Sequence, residues 1–156
     1  MFKFLILFAL VPAIFARTPV RECGGGLPLP TAVFFGSRQS PCLSAPCSVV
    51  RSSGRGVTYV DFTTRNAARS ILPRVRATVF GVNITQELPE SIQRNPCGIL
   101  EAPHTCPLAA NQRASYRLEL PVESSTPLVS SDTEITLFGD NNEVIFCYRL
   151  QTRVVA

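Results

Sequence analysis

Residues 143–155 read EVIFCYRLQTRVV, the longest clean strand signal in the chain. Val144, Phe146, Tyr148 and Leu150 alternate with Ile145, Cys147, Arg149 and Gln151, the period of two that belongs to a strand with one face buried. The first set is apolar throughout. The second carries a cysteine and then turns polar. Cys23 is the obvious partner for that cysteine, because the other four, Cys42 with Cys47 and Cys97 with Cys106, fall into two local pairs. Such a bridge would make the first and last strands neighbours and close the fold.

Working back from this strand, residues 139–142 read GDNN, a tight turn. Residues 133–138 before it alternate with Ile135 and Leu137 on one face, so 133–150 reads as a β-hairpin. Residues 115–122 alternate strictly, with Tyr116, Leu118, Leu120 and Val122 facing one way and Arg117 and Glu119 the other. Residues 74–82 form another strand, with Val75, Ala77, Val79 and Gly81 on its apolar face and Phe80 breaking the pattern. Residues 57–64 place Thr58, Val60 and Phe62 on one face and Val57, Tyr59 and Asp61 on the other, where Asp61 marks the solvent side. Residues 31–35 supply a short strand in a stretch whose glycines and prolines forbid helix. Residues 86–110 are punctuated by Pro89, Pro96, Pro103 and Pro107 and read as loop. Six or seven strands, turns between them and no helix predict an all-β, immunoglobulin-like antiparallel β-sandwich. The absence of any tryptophan disfavours an immunoglobulin domain proper, whose core needs one.

The first 16 residues have the features of a secretory signal: Lys3, an apolar run interrupted only by Pro12, and the small Ala16. Their apolar run is shorter than the roughly 20 residues a membrane span needs. The folded domain is then expected to be residues 17–156, outside the cell or in an endosomal or lysosomal lumen. All six cysteines lie in that part, and an oxidising compartment turns an even cysteine count into three disulfides. A domain of this length builds a sufficient core without staples. Extracellular durability is one reason to have them; a hollow interior that packs less well is another. Asn83-Ile84-Thr85 is an N-glycosylation sequon that places Asn83 at the surface, with an unused sequon as the alternative.

With Lys3 removed, fourteen arginines face eleven acids, and they are dispersed. Nucleic-acid binding needs a concentrated basic footprint, so no nucleic-acid partner is expected. His104 is the only histidine, and it lies in a proline-flanked loop with no nucleophile elbow elsewhere to serve. No catalytic residue is assigned. Cysteines paired as disulfides leave no zinc site, and no glycine-rich phosphate loop opens a helix, so neither metal nor cofactor is expected. What remains is the set of inward apolar faces. They make either a solid core or two sheets splayed around an apolar ligand, and periodicity does not separate the two.

The cysteine framework and its neighbours resemble the lipid-recognition family that includes the Niemann–Pick type C2 sterol carriers and the group 2 mite allergens. The points of likeness are Arg21-Glu22-Cys23-Gly24, Ser40-Pro41-Cys42 with Pro46-Cys47, Cys97 with Cys106-Pro107, Leu120-Pro121-Val122, and Phe146-Cys147-Tyr148. The resemblance implies the pairing Cys23–Cys147, Cys42–Cys47 and Cys97–Cys106. It implies a non-enzymatic, monomeric sandwich with an apolar cavity between the sheets, binding a sterol, fatty acid or similar small lipid. Carried over by position, it places the lipid among Val60, Phe62, Val75, Val79, Leu120, Val122, Thr126, Ile135 and Leu150. It also implies a protein partner such as a membrane sterol transporter or receptor. The rival is an extracellular protein-interaction module, or a lipid-sensing co-receptor in innate immunity. The chain departs from the sterol carriers after Gly81, where residues 82–88 read VNITQEL, a polar and longer loop in place of a proline-rich segment. A mouth of different shape follows.

Overall fold

The computed structural model describes residues 16–156, so the expected signal segment lies, but for Ala16, outside the described residues. Eight strands occur among them: β1 (Ala32–Phe35), β2 (Cys47–Val50), β3 (Arg55–Thr63), β4 (Leu72–Val79), β5 (Val82–Thr85), β6 (Arg113–Pro121), β7 (Ser130–Phe138) and β8 (Val144–Val155). They form two facing sheets, one in the order β1-β3-β6 and the other β2-β8-β7-β4-β5. Every pairing is antiparallel except β2 with β8, which run parallel. The sequence pattern had located a sandwich of alternating strands, and the two sheets are built on those alternations.

The hairpin of β7 and β8 forms as its pattern predicts. Asn141 and Asn142 take positive φ in the turn, a conformation that asparagine tolerates. Phe146, Tyr148 and Leu150 are buried on the inner face. Ring contacts of 5.4 to 6.3 Å link Phe62, Tyr116, Phe146 and Tyr148, so aromatic side chains fill the β7–β8 turn end of the sandwich.

The sequence expectation for residues 74–82 needs correction. The chain reverses at Phe80 and Gly81, both at positive φ, and returns as β5 where a polar loop was expected. A two-residue hairpin turn requires positive φ at both central positions; Gly81 meets this without strain, whereas Phe80 does so with its side chain 91% exposed. β5 pairs Val82 with Val79 and Ile84 with Ala77. All four of its residues are exposed, so it lies at the sheet edge beyond the cover of the facing three-stranded sheet. The loop expected over residues 86–110 contains one five-residue helix, Glu90–Arg94. Only Ile92 of that helix is buried, which leaves no periodic signal to read.

Three disulfides close the fold, Cys23–Cys147, Cys42–Cys47 and Cys97–Cys106. The first does not make the first and last strands neighbours, because β1 lies in the sheet opposite β8. It ties the segment before β1 along β8 instead. Arg21 exchanges backbone hydrogen bonds with Arg149, and the Cys147 N–H donates to the Pro28 carbonyl. The C-terminal half of β8 pairs with β2. Both halves of this long strand are therefore satisfied on the side away from β7.

On the outer face of the three-stranded sheet, Arg38 acts as a clasp. Its guanidinium donates to Asp61 at 2.9 Å and to Glu101 at 2.5 Å and lies over the rings of Phe34 and Tyr59. Its side chain is 30% exposed, so solvent screens the ion pairs. Arg38→Ala is expected to cost about 1–2 kcal/mol, from lost stacking and charge-assisted hydrogen bonds together. A urea titration of the variant against wild type reads that difference.

Candidate functional site

The inner faces do not meet along their whole length. At the end away from the aromatic cluster they enclose a cavity of about 200 Å³. Leu118 and Leu120 of β6 and Thr58 of β3 line one wall. Val75 and Ala77 of β4, and Ser131, Thr133 and Ile135 of β7, line the other. Register explains the grouping. Thr58 pairs with Leu118 in one sheet, Val75 with Ile135 and Ala77 with Thr133 in the other. The strands leave the aromatic end together, and their side chains become smaller or more polar as they do. Val49, Val122, Thr126 and Val154 lie at the open end. There the loop after β6 is held by Val122 N–H donating to the Gly54 carbonyl and by Arg51 donating to the Thr126 carbonyl at 3.1 Å. No charged side chain lines the cavity among the described residues.

Of the nine positions expected to hold a lipid, Val75, Leu120, Val122, Thr126 and Ile135 line the cavity. Val60, Phe62 and Leu150 do not; they are buried in the packed core, Leu150 directly across from Thr133 of the cavity wall. Their faces were read correctly. Alternation gives the face of a strand but not the depth at which a sandwich stops being filled. Val79 continues the face of Val75 and Ala77 one pleat further, toward the exposed edge at β5, and is not part of the lining. Leu118, Ser131, Thr133, Thr152 and Val154 line the cavity without having been singled out. Leu118 stands on a face the alternation already assigns, Thr133 and Thr152 continue the faces of Ile135 and Leu150 by one pleat and Ser131 and Val154 by two, so the period-two rule itself could have found them.

Asn83 is exposed on β5, on the side of Thr78, whose hydroxyl donates to the Asn83 side-chain carbonyl at 2.6 Å. His104 lies in the loop closed by Cys97–Cys106 and does not line the cavity. Cys23, Cys147 and Glu134 form a cluster of metal-ligating atom types, but both sulfurs are joined in a disulfide. A disulfide offers no thiolate to a metal.

Where the filled core meets the cavity, Tyr116 and Tyr148 bury their hydroxyls without a hydrogen-bond partner among the described residues. Burial pushes both phenols well above their ordinary range, and each hydroxyl is near enough to influence the other. The sign follows from linkage. Folding raises these values, so the unfolded chain loses its phenolic protons first, and stability is unaffected below pH 10 and falls as pH rises beyond it. The loss grows with each further pH unit as the unfolded chain's phenols ionise while the buried pair keeps its protons. The double variant Y116F/Y148F is expected to flatten that alkaline decline. Circular dichroism followed between pH 8 and 12 checks it; an unchanged slope would place the sensitivity elsewhere.

The ML domain family profile matches residues 18–154. The chain is 26% identical over 151 residues to NPC intracellular cholesterol transporter 2 of Sus scrofa, covering 97% of this chain and 94% of that protein. With the protein of the same name from Canis lupus familiaris it shares 27% identity over 134 residues, 86% of this chain and 83% of the relative. Among solved structures, a Niemann-Pick type C2 protein from Japanese carpenter ant aligns with a TM-score of 0.73 at 18% identity, covering 88% of this chain and 99% of that one. The last likeness is one of fold.

Proposed function

The chain belongs to the ML domain family, and on that premise we propose that it is a secreted carrier that holds a sterol, fatty acid or similar lipid between its two sheets. The observation that carries the reading is the uncharged, largely apolar cavity between the sheets, open at one end in a sandwich held by three disulfides. The cavity shields apolar ligand surface from water, which is favourable by roughly 25 cal/mol per Å². No residue lining it is poised for bond-making, so the ligand leaves unchanged. The relatives named above as cholesterol transporters support a lipid as cargo.

Size shapes the proposal. Small-molecule sites usually occupy about 300–1,000 Å³, and this cavity is smaller, at about 200 Å³. A slim hydrocarbon tail fits it better than a rigid ring system. A bulky lipid is admitted by displacement of the edge beside β5, where Val82 and Ile84 already present exposed apolar surface. That same edge, with Phe80 at the hairpin tip, is the surface we assign to contact with a membrane transporter or receptor. Residues 1–16 act as the cleaved signal, and Asn83 carries a glycan on the outward side of β5. The mature carrier is a monomer, outside the cell or in an endosomal or lysosomal lumen.

Native mass spectrometry of the secreted protein, followed by organic extraction, tests this. A one-to-one adduct that extracts as a lipid is the expected result. A clean mass for the polypeptide and its glycan, with no uptake from an offered panel of sterols and fatty acids, would contradict it.

A further inference from the structure

Three hydroxyl groups stand together on the otherwise largely apolar wall of the cavity. Ser131 and Thr133 project from β7 two residues apart, and Thr152 lies directly across from Ser131 on β8. All three line the cavity, and Thr152 is 7% exposed. Their oxygens form a triangle, with Ser131–Thr152 at 2.9 Å, Thr133–Thr152 at 3.1 Å and Ser131–Thr133 at 3.3 Å. A purely hydrocarbon cargo gives no reason for this triangle. Apolar side chains at these positions would enlarge the apolar lining without leaving any polar group unsatisfied.

We infer that this triangle is a specificity site that takes an alcohol hydroxyl of the bound lipid. The inference rests on the carrier reading and adds to it which polar group the cargo bears. A hydroxyl donates one hydrogen bond and accepts up to two. Closing the triangle uses all three protons and one lone pair on each oxygen, so three lone pairs stay free. The closed triangle thus offers acceptors, which suits a ligand O–H. The Ser131–Thr133 side is the longest and the easiest to open. A proton swung out from it donates to the same ligand oxygen, so an alcohol is matched in both directions. An ionised carboxylate accepts only. It finds no cationic side chain in the lining, and burying it unpaired is costly. By position the triangle lies between the apolar rung of Val75 and Ile135, toward the packed core, and the rung of Val49 and Val154 at the open end. The ligand hydroxyl is therefore held inside the cavity rather than in water.

The test compares wild type with S131A/T133V/T152V. This variant removes all three partners together, so none of them is left buried and unpaired, a change that is close to neutral for folding. Dodecan-1-ol, dodecanoate and dodecane are each titrated against a bound fluorescent probe, N-phenyl-1-naphthylamine, by displacement. The variant is expected to bind dodecan-1-ol about tenfold more weakly than wild type. Dodecane should bind both proteins alike, which also reports that the cavity has survived the substitutions. Unchanged dodecan-1-ol affinity would overturn the inference, as would an equal loss for all three ligands. A loss for dodecanoate matching that for dodecan-1-ol would overturn the assignment to an alcohol. If no ligand displaces the probe from either protein, the carrier reading falls, and this inference with it.

Discussion

Val122→Asp is expected to weaken lipid binding on the order of 100-fold, because an uncompensated carboxylate at the cavity wall must be desolvated or must exclude the ligand. Val122 lines the cavity but is only half-buried. The backbone beside it is fixed by its own N–H bond to the Gly54 carbonyl, which any residue but proline preserves. The substitution should therefore spare the fold. Displacement titration gives the affinity, and a mass measured without reductant shows whether the three disulfides remain. Unchanged affinity in an oxidised, folded variant would remove Val122 from the ligand's path.

Loss of the Cys23–Cys147 bridge in C23A/C147A should lower stability by about 5 kcal/mol, less any relief in the folded state. This bridge closes a loop across a sequence separation of 124, against 5 and 9 for the other two. In the chain-entropy model the shortest loop contributes only about 2 kcal/mol. Domains are stable by roughly 5–15 kcal/mol in total, so the long bridge decides whether the variant folds at body temperature. The loss should be felt first along β8. There the segment from Arg21 to Pro28 would have only its backbone bonds to Arg149 and Cys147 to hold it. Urea titration under non-reducing conditions reads the effect, and C42A/C47A serves as the short-loop comparison. Equal midpoints for the two variants would contradict the entropic account.

The strongest sequence signals were local ones. β8 and its hairpin with β7 were readable because alternation, a GDNN turn and a second alternation follow one another without interruption. β2 was not, since Cys47–Val50 is four residues long and its partner, the end of β8, lies a hundred residues away with parallel pairing that leaves no local mark. β5 was read as loop because it is short and exposed throughout, so no buried face exposes its period. The cavity was half legible. Inward faces follow from alternation, and of the positions assigned to a lipid by likeness, Val75, Leu120, Val122, Thr126 and Ile135 line the cavity. Val60 and Phe62 share those faces but sit beside the aromatic rings of Tyr116 and Phe146, and Leu150, across from Thr133, is buried without lining the cavity. The depth at which packing ends depends on side chains from both sheets at once, and no single strand carries that information. The hydroxyl triangle escaped for the same reason: Thr152 and Ser131 meet only through strand register.

A lipid is expected to occupy the space between the sheets and not the exposed edge. A methyl-labelled sample titrated with dodecan-1-ol and followed by NMR tests this most directly. The methyl groups of Val75, Leu118 and Ile135, which line the cavity, should shift and show contacts to the ligand chain, while those of Val82 and Ile84, exposed on β5, stay in place. Shifts confined to Val82 and Ile84, with the interior methyls unmoved, would overturn the carrier reading and mark a surface that binds from outside.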